Sequence, residues 1–254
     1  MKTNLIDQIK AQRPLVLVVT NFITAGAVAN VLSAAGMSPM MPSDFHEATE
    51  LTQLADAVTI NIGSVDSDQA ALIDAVMATA TQLSKPIVLD PVAVSASQAR
   101  QSLVQSILKK GVTLIRGNAS EIAYLAGIQS QARGIDAGDE NNPAYLAQLC
   151  AQKQHCLVVL SGPIDYVSDG KTTVECTMGS PMMPKIVGTG DMLSAFLSGC
   201  LSLPISQFEA VKFGTEYFGQ VGQRADTGKL GDWSANFLTI LDQANSKSWK
   251  GVGK

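Results

Sequence analysis

The chain has 254 residues and a mass of 26.7 kDa, and 46% of them are hydrophobic, which suffices for a large buried core and excludes a disordered chain. Only 16% are charged, against about 25% in an average soluble domain, and so sparse a polar covering points to an oligomer. The 18 Lys and Arg against 22 Asp and Glu leave a net charge of -4, the wrong sign for gripping a phosphate backbone, so a nucleic acid partner is not expected.

Short apolar runs alternate with helix-length amphipathic segments along the chain, the rhythm of a parallel α/β sheet. The strands predicted are Leu15 to Thr20, Ala57 to Ile62, Pro86 to Asp90, Val112 to Arg116 and Cys156 to Ser161. They are near-continuous apolar runs of the kind that helices cover on both faces. Helices are predicted over Thr24 to Ala35, Ser67 to Leu83, Gln98 to Lys109, Ser120 to Ala126 and Asn142 to Lys153, where apolar residues recur near a period of 3.6. Ile164 to Ser168 and Lys171 to Thr177 are β-prone and joined by Asp169-Gly170, a two-residue hairpin signal, so an antiparallel hairpin is expected at one edge. From Asp191 onward the pattern is mainly helical. No repeat and no Pro, Gly and Ser-rich linker divides residues 1–254, which are read as one domain. No apolar run approaches a membrane span, and Lys2, Asp7 and Lys10 break up any signal-type start, so the expected location is the cytoplasm. The four cysteines have no metal-like spacing with His46 or His155, and both histidines are read as ordinary polar or core residues.

In such sheets ligands bind at the carboxyl ends of the strands, and there the chain carries Asn21, Asn61-Ile62-Gly63, Asp90-Pro91, Arg116-Gly117-Asn118 and Ser161-Gly162. The sharpest motif is Gly188-Thr189-Gly190-Asp191, followed at once by a helical pattern. Glycines aim backbone N–H groups at one point, and the helix end behind them adds about half a positive charge. That makes Gly188, Thr189 and Gly190 an anion hole, with Asp191 placed to take the proton of an alcohol attacking a phosphoryl group. The alternative is a glycine-rich turn before a buried helix. Leu193 stands where a dinucleotide fingerprint needs its third glycine, and the loop lacks the lysine of a Walker A motif.

Arg116 is suited to phosphate oxygens, and Glu121 to Mg²⁺ directly or through water, yet Asn118 with Glu121 also forms a capping-box pair. Asp90 before Pro91 is either a turn signal or, facing Glu121, half of a carboxylate pair for Mg²⁺ on nucleotide phosphates. The segments around Asn21 and Met41 could wall a small heteroaromatic pocket, although methionine-rich loops also serve plain packing.

Taken together, Asn21-Phe22-Ile23-Thr24, Ser38-Pro39-Met40-Met41, Asn61-Ile62-Gly63, Leu89-Asp90-Pro91-Val92, Arg116 to Ile122 and Gly188 to Asp191 resemble, in order and spacing, the hydroxyethylthiazole kinase family. The resemblance spans about residues 15 to 200. It implies a ribokinase-like three-layer sandwich that phosphorylates the hydroxyethyl group of 4-methyl-5-(2-hydroxyethyl)thiazole with MgATP, in thiamine biosynthesis and salvage. It further implies ATP contacts from Arg116 and Ser161, Mg²⁺ near Asp90 and Glu121, and thiazole contacts from Met41 and Gly188 with Asn21 and Gly63 nearby. A homotrimer with its pockets between subunits is implied as well. The chain departs from the family pattern in carrying Asp191 where cysteine is usual, and aspartate is the catalytic base of the wider ribokinase-like group. Gly26, Ala27, Ala93, Ser95 and Pro163 are further departures that bear on pocket shape. The rivals are a kinase of another small heterocyclic alcohol, hydroxymethylpyrimidine- or pyridoxal-like, and a non-catalytic nucleotide-binding member of the fold.

Overall fold

The protein is described here by a computed structural model covering residues 4–128 and 142–247. The strands are β1 (Leu15–Val19), β2 (Ser38–Met40), β3 (Ala57–Asn61), β4 (Ile87–Asp90), β5 (Leu114–Asn118), β6 (Leu157–Ser161), β7 (Asp165–Ser168) and β8 (Thr173–Cys176). They form one sheet in the order β2-β1-β3-β4-β5-β6-β7-β8. The first six strands pair parallel, and β7 and β8 are added antiparallel.

The period-2 alternation of side chains sorts each apolar strand between two cores. In β1, Val16 and Val18 join one hydrophobic cluster while Leu17 and Val19 join the other; β6 divides the same way, with Leu157 and Val159 opposite Val158 and Leu160. The first cluster is covered by α1 (Asn4–Gln12), α2 (Ala25–Ala34), α8 (Thr189–Leu201), α9 (Gln207–Arg224) and α10 (Leu230–Gln243). The second lies under α3 (Ala48–Leu54), α4 (Ser67–Gln82), α5 (Gln98–Lys110), α6 (Ala119–Ala126) and α7 (Pro143–Gln154). Both sheet faces are therefore apolar, and polarity is confined to the strand ends.

Helix α8 runs through the middle of the first core. All but Gly190 and Asp191 of its 13 residues are buried. It packs on β1, β3 and β4, and Thr59 of β3 meets Ser198 across 2.6 Å, so the two hydroxyls partner each other inside the core. Gly199 lets the helix come close, because a Cβ there would strike Met37 Sδ at 2.4 Å.

The predicted strands and helices form within about two residues of the expected bounds, and the edge hairpin is present. Its loop differs. Ser168 pairs with Thr173, which leaves four loop residues, 169–172, instead of two. The Asp169 side chain accepts the N–H groups of Lys171 (2.8 Å) and Thr172 (2.6 Å), an Asx turn that takes in the extra residues, while Gly170 supplies the positive φ of 85°. The Gly-Lys-Thr run at 170–172 is thus a hairpin turn at the rim where the parallel strands begin, with Asp165 where a phosphate loop needs glycine. Helices α1 and α3 and strand β2 were not predicted. β2 is three residues long and contains Pro39, which an edge strand tolerates.

Phe196 of α8 is fully buried, with its ring centroid 5.7 Å from Tyr217 and 5.8 Å from Phe218. Phe196→Ala is expected to lower stability by about 3–5 kcal/mol in urea denaturation, and a loss under about 1 kcal/mol would show that this packing contributes little.

Candidate active site

Five of the six parallel strands, β1, β3, β4, β5 and β6, end in a polar residue or lead directly into one, and parallel pairing brings those ends to one rim. The register sets Asn61 beside Asp90 and Asn118 beside Ser161. Above this rim lies a cleft of about 910 Å³. Its polar wall holds Asp90, Arg116, Glu121, Ser161 and the Gly188–Asp191 loop, and its apolar wall is built from Met178, Met183, Ile186 and Phe218.

The loop is shaped by two close approaches. Gly188 has φ 88°, and a Cβ on it would lie 2.5 Å from Thr24 Cγ2. A Cβ on Gly190 would lie 2.2 Å from Arg116 Nη1, so only glycine lets the guanidinium rest against the start of α8. The first intrahelical bond is Met192 N–H to Gly188 O at 2.9 Å. Thr189 turns its N–H to Ile186 O (3.3 Å), and its hydroxyl lies 2.9 Å from Met183 O and 2.8 Å from Ile186 O, tying the apolar wall to the helix. The N–H groups of Gly190 and Asp191 belong to the first turn, which has no partners within the helix and carries the positive end of its dipole.

Asp191 is held by residues at the end of β1. Asn21 Nδ2 donates to its Oδ2 at 2.9 Å and Thr24 Oγ1 donates to the same oxygen at 2.5 Å. Asn21 also reaches Asn61 Oδ1 at 3.3 Å, and that oxygen accepts the Gly63 N–H at 2.8 Å. Asn21, Gly63, Gly188 and Asp191 are therefore brought together, as their expected sharing of one site requires. The Gly63 segment is anchored by Arg100, which donates to Gly63 O and Val92 O at 2.9 Å each, and to Ile62 O.

Asp90 lies deeper, at 1% exposure. Its Oδ2 accepts from Ser194 at 2.7 Å and lies 3.6 Å from Arg116 Nη1, while its buried Oδ1 has no hydrogen-bond partner. Burial pushes its pKa up to about 6; Arg116 and the Ser194 hydrogen bond oppose this, and the neighbouring Asp191 and Glu121 carboxylates add to it. Arg116 in turn donates from Nε to Ser161 Oγ at 2.9 Å. Asp165, also raised by burial, accepts the Gly162 N–H at 2.9 Å and sits close enough to Arg116 to feel its charge. Two carboxylates, Asp90 and Asp165, thus flank one guanidinium that is only 14% exposed.

Glu121 realises the capping box: Asn118 Oδ1 accepts the Ser120 and Glu121 N–H groups, and Glu121 Oε2 accepts the Asn118 N–H at 2.8 Å. Its Oε1 accepts the Ala93 N–H at 2.8 Å, so both oxygens are occupied by backbone and the β4 and β5 loops are joined. Ala93 has φ 54°, a left-handed conformation that glycine adopts more readily than alanine.

Met41 lies apart from the cleft lining, packed against the core cluster on the α8 side of the sheet. His46 bonds Asp44 at 2.7 Å, and His155 ends α7 with φ 53° at the opposite rim. The four cysteines are free, and burial pushes the thiols of Cys150, Cys156 and Cys176 up to about 12, too high for reactive use at neutral pH. Sequence reasoning placed Asn61 at a strand end and Thr24 in the Asn21 motif without giving either a role of its own, and it did not single out Ser194, Asp165 or Arg100. A signal existed for Ser194, which follows Asp191 by three and so shares its helix face. For Arg100 there was none, since its contacts are to backbone carbonyls of distant loops.

A family model described as the hydroxyethylthiazole kinase family matches residues 6–246. A hydroxyethylthiazole kinase of Levilactobacillus brevis is 41% identical over 248 residues, 95% of this chain and 94% of that protein. The solved structure of a hydroxyethylthiazole kinase protein from Pyrococcus horikoshii OT3 superposes with TM-score 0.88 at 31% identity, covering 96% of this chain and 93% of that one. A ribokinase-like superfamily protein of Enterococcus faecalis, at 18% identity and TM-score 0.63 over 97% and 95% of the two chains, shares the fold. With its cleft at the carboxyl rim of a mainly parallel sheet and its match over nearly the whole length, the chain belongs to the hydroxyethylthiazole kinase family and has the ribokinase-like fold.

Proposed function

We propose that this chain, as a single kinase domain, transfers the γ-phosphoryl group of ATP to the hydroxyethyl side chain of 4-methyl-5-(2-hydroxyethyl)thiazole, in thiamine biosynthesis and salvage. The observation that carries this reading is the start of α8, where Asp191 and the N–H groups of the first turn lie beside Arg116. Asp191 takes the hydroxyl proton as the substrate oxygen attacks phosphorus. The amides of the Gly188–Asp191 turn and the Arg116 guanidinium face the charge on the phosphoryl oxygens, with Ser161 orienting Arg116 through the bond to Nε. Gly188, Asn21 and Gly63 lie at the thiazole end of this arrangement, with Met41 at the outer edge of the sheet.

The donor set fits Mg²⁺. Asp90 would hold it through its unpartnered buried Oδ1, since Mg²⁺ carried by a nucleotide needs only one or two protein carboxylates. Glu121, with both oxygens held by backbone N–H groups, acts through a water shell if it acts on the ion. When bound, the ion offsets charge on the transferred group. The reading includes a homotrimer with the pockets between subunits, a cytoplasmic setting, and neither nucleic acid nor membrane as partner. Phe22, Ile23 and Val187, 82%, 68% and 74% exposed beside the cleft, support a covered surface there.

The functional test is ADP release from MgATP with and without hydroxyethylthiazole. Thiazole-dependent turnover is expected, and Asp191→Asn should lower it by about 10² to 10⁴ while nucleotide still binds. Turnover only with a pyrimidine or pyridoxal-like alcohol would overturn the substrate, and full activity of the variant would overturn the base.

A second prediction concerns Asp90. Its carboxyl ionises at 3.8 in the unfolded chain and near 6 when buried, so ionisation costs the fold stability as pH rises through that window. The full cost, on the order of 3 kcal/mol, applies above about pH 6. In EDTA, Asp90→Asn should therefore gain stability over the parent protein at about pH 7.5, and the gain should vanish near pH 4. A gain that does not change with pH would show that desolvation of this carboxylate is not the cause.

A further inference from the structure

Thr24 stands at the N-cap position of α2, yet its side chain makes no capping hydrogen bond. The side chain is instead turned into the site at 4% exposure, and its two ends are engaged separately. The methyl group lies where a Cβ on Gly188 would meet it at 2.5 Å, in the space that this glycine leaves open. The hydroxyl lies 2.5 Å from Asp191 Oδ2 and 3.1 Å from Asn21 Oδ1. One hydrogen faces two acceptors, and the charged one makes the stronger bond.

The orientation of Asn21 follows from its backbone partners. Its Oδ1 accepts the N–H groups of Ile23 and Thr24 at 3.1 Å each, so Nδ2 is the end that meets Asp191. Both donors, Asn21 and Thr24, therefore fall on Oδ2, and no described residue bonds to Oδ1.

We propose that Thr24 is a positioning residue for phosphoryl transfer. Its hydroxyl holds Asp191 by Oδ2, so that Oδ1 is the oxygen left to receive the substrate proton, and its methyl group seats the Gly188 turn. This rests on the kinase reading above. In the step it serves, the substrate O–H bond breaks and its proton passes to Asp191 Oδ1. The oxygen bonds to the γ-phosphorus, and the bond from that phosphorus to the bridging oxygen breaks, with the electron pair leaving on ADP.

The two contacts can be separated by substitution. Thr24→Val keeps the shape and the methyl contact and removes the hydroxyl; Thr24→Ser keeps the hydroxyl and removes the methyl. Thr24→Val is expected to lower kcat by about 10- to 100-fold with KM for ATP and for the alcohol within about two-fold, the size of loss seen when groups orienting a functional residue are removed. Thr24→Ser should recover kcat to within about five-fold of the parent. In an Asp191→Asn background Thr24→Val should add no further loss, because the group it positions is gone. A Thr24→Val protein with the parent kcat, or a loss that is fully additive with Asp191→Asn, would overturn the proposal.

A crystal structure of each Thr24 variant gives a reading that needs no substrate. The Asp191 carboxylate should be turned or split over two rotamers in Thr24→Val and stay in place in Thr24→Ser; an unmoved carboxylate in Thr24→Val overturns the positioning role. If the parent enzyme is silent toward hydroxyethylthiazole while the carboxylate is released in the Thr24→Val crystal, the substrate reading fails and the positioning role stands.

Discussion

Burial of α8 against β1, β3 and β4 decides where the chemistry can occur. A helix this apolar cannot slide or rotate without exposing Phe196 and Leu197 or parting the Thr59–Ser198 hydroxyl pair. Its amino end is thereby pinned over the rim where the parallel strands stop. The two residues of the helix that are not buried, Gly190 and Asp191, are the ones at that end which meet Arg116 and the β1 loop.

Around this fixed point the site is assembled from paired opposites. Arg116 is shared among Ser161, Asp90 and Asp165, so one cation serves several acceptors in a region of little solvent. Burying Asp90 beside Asp191 and Glu121 is unfavourable for the protein alone, and the raised Asp90 pKa reports it. Carboxylates buried at such a cost gather at functional sites more than elsewhere. Glu121 and Arg100 brace this arrangement in different ways. The first joins two loops by accepting backbone N–H groups and the second by donating to backbone carbonyls.

Much of this was legible from residue order. The alternation of apolar runs and amphipathic segments specifies a parallel sheet covered on both faces, because no other packing buries strands that are apolar on both sides. Polar residues at the strand ends and glycines before a helix mark the rim and the turn at the start of α8, because backbone N–H groups at a helix start need a partner. The Asn118–Glu121 pair was readable both as a cap and as a metal ligand, and three residues of spacing serve both uses equally.

The amino-acid sequence by itself thus determined the fold class, the rim that carries the cleft, and that Asp90, Arg116, Glu121 and Asp191 would be charged residues at that rim. It could not say that Thr24 leaves its cap unmade in order to bond Asp191, that the hairpin loop takes four residues, or that Arg100 ties three loop carbonyls. Those contacts join residues up to 167 positions apart in the chain. Local propensity and spacing act over one or two turns, whereas such contacts exist only once the packed core has fixed the distances between strands and helices.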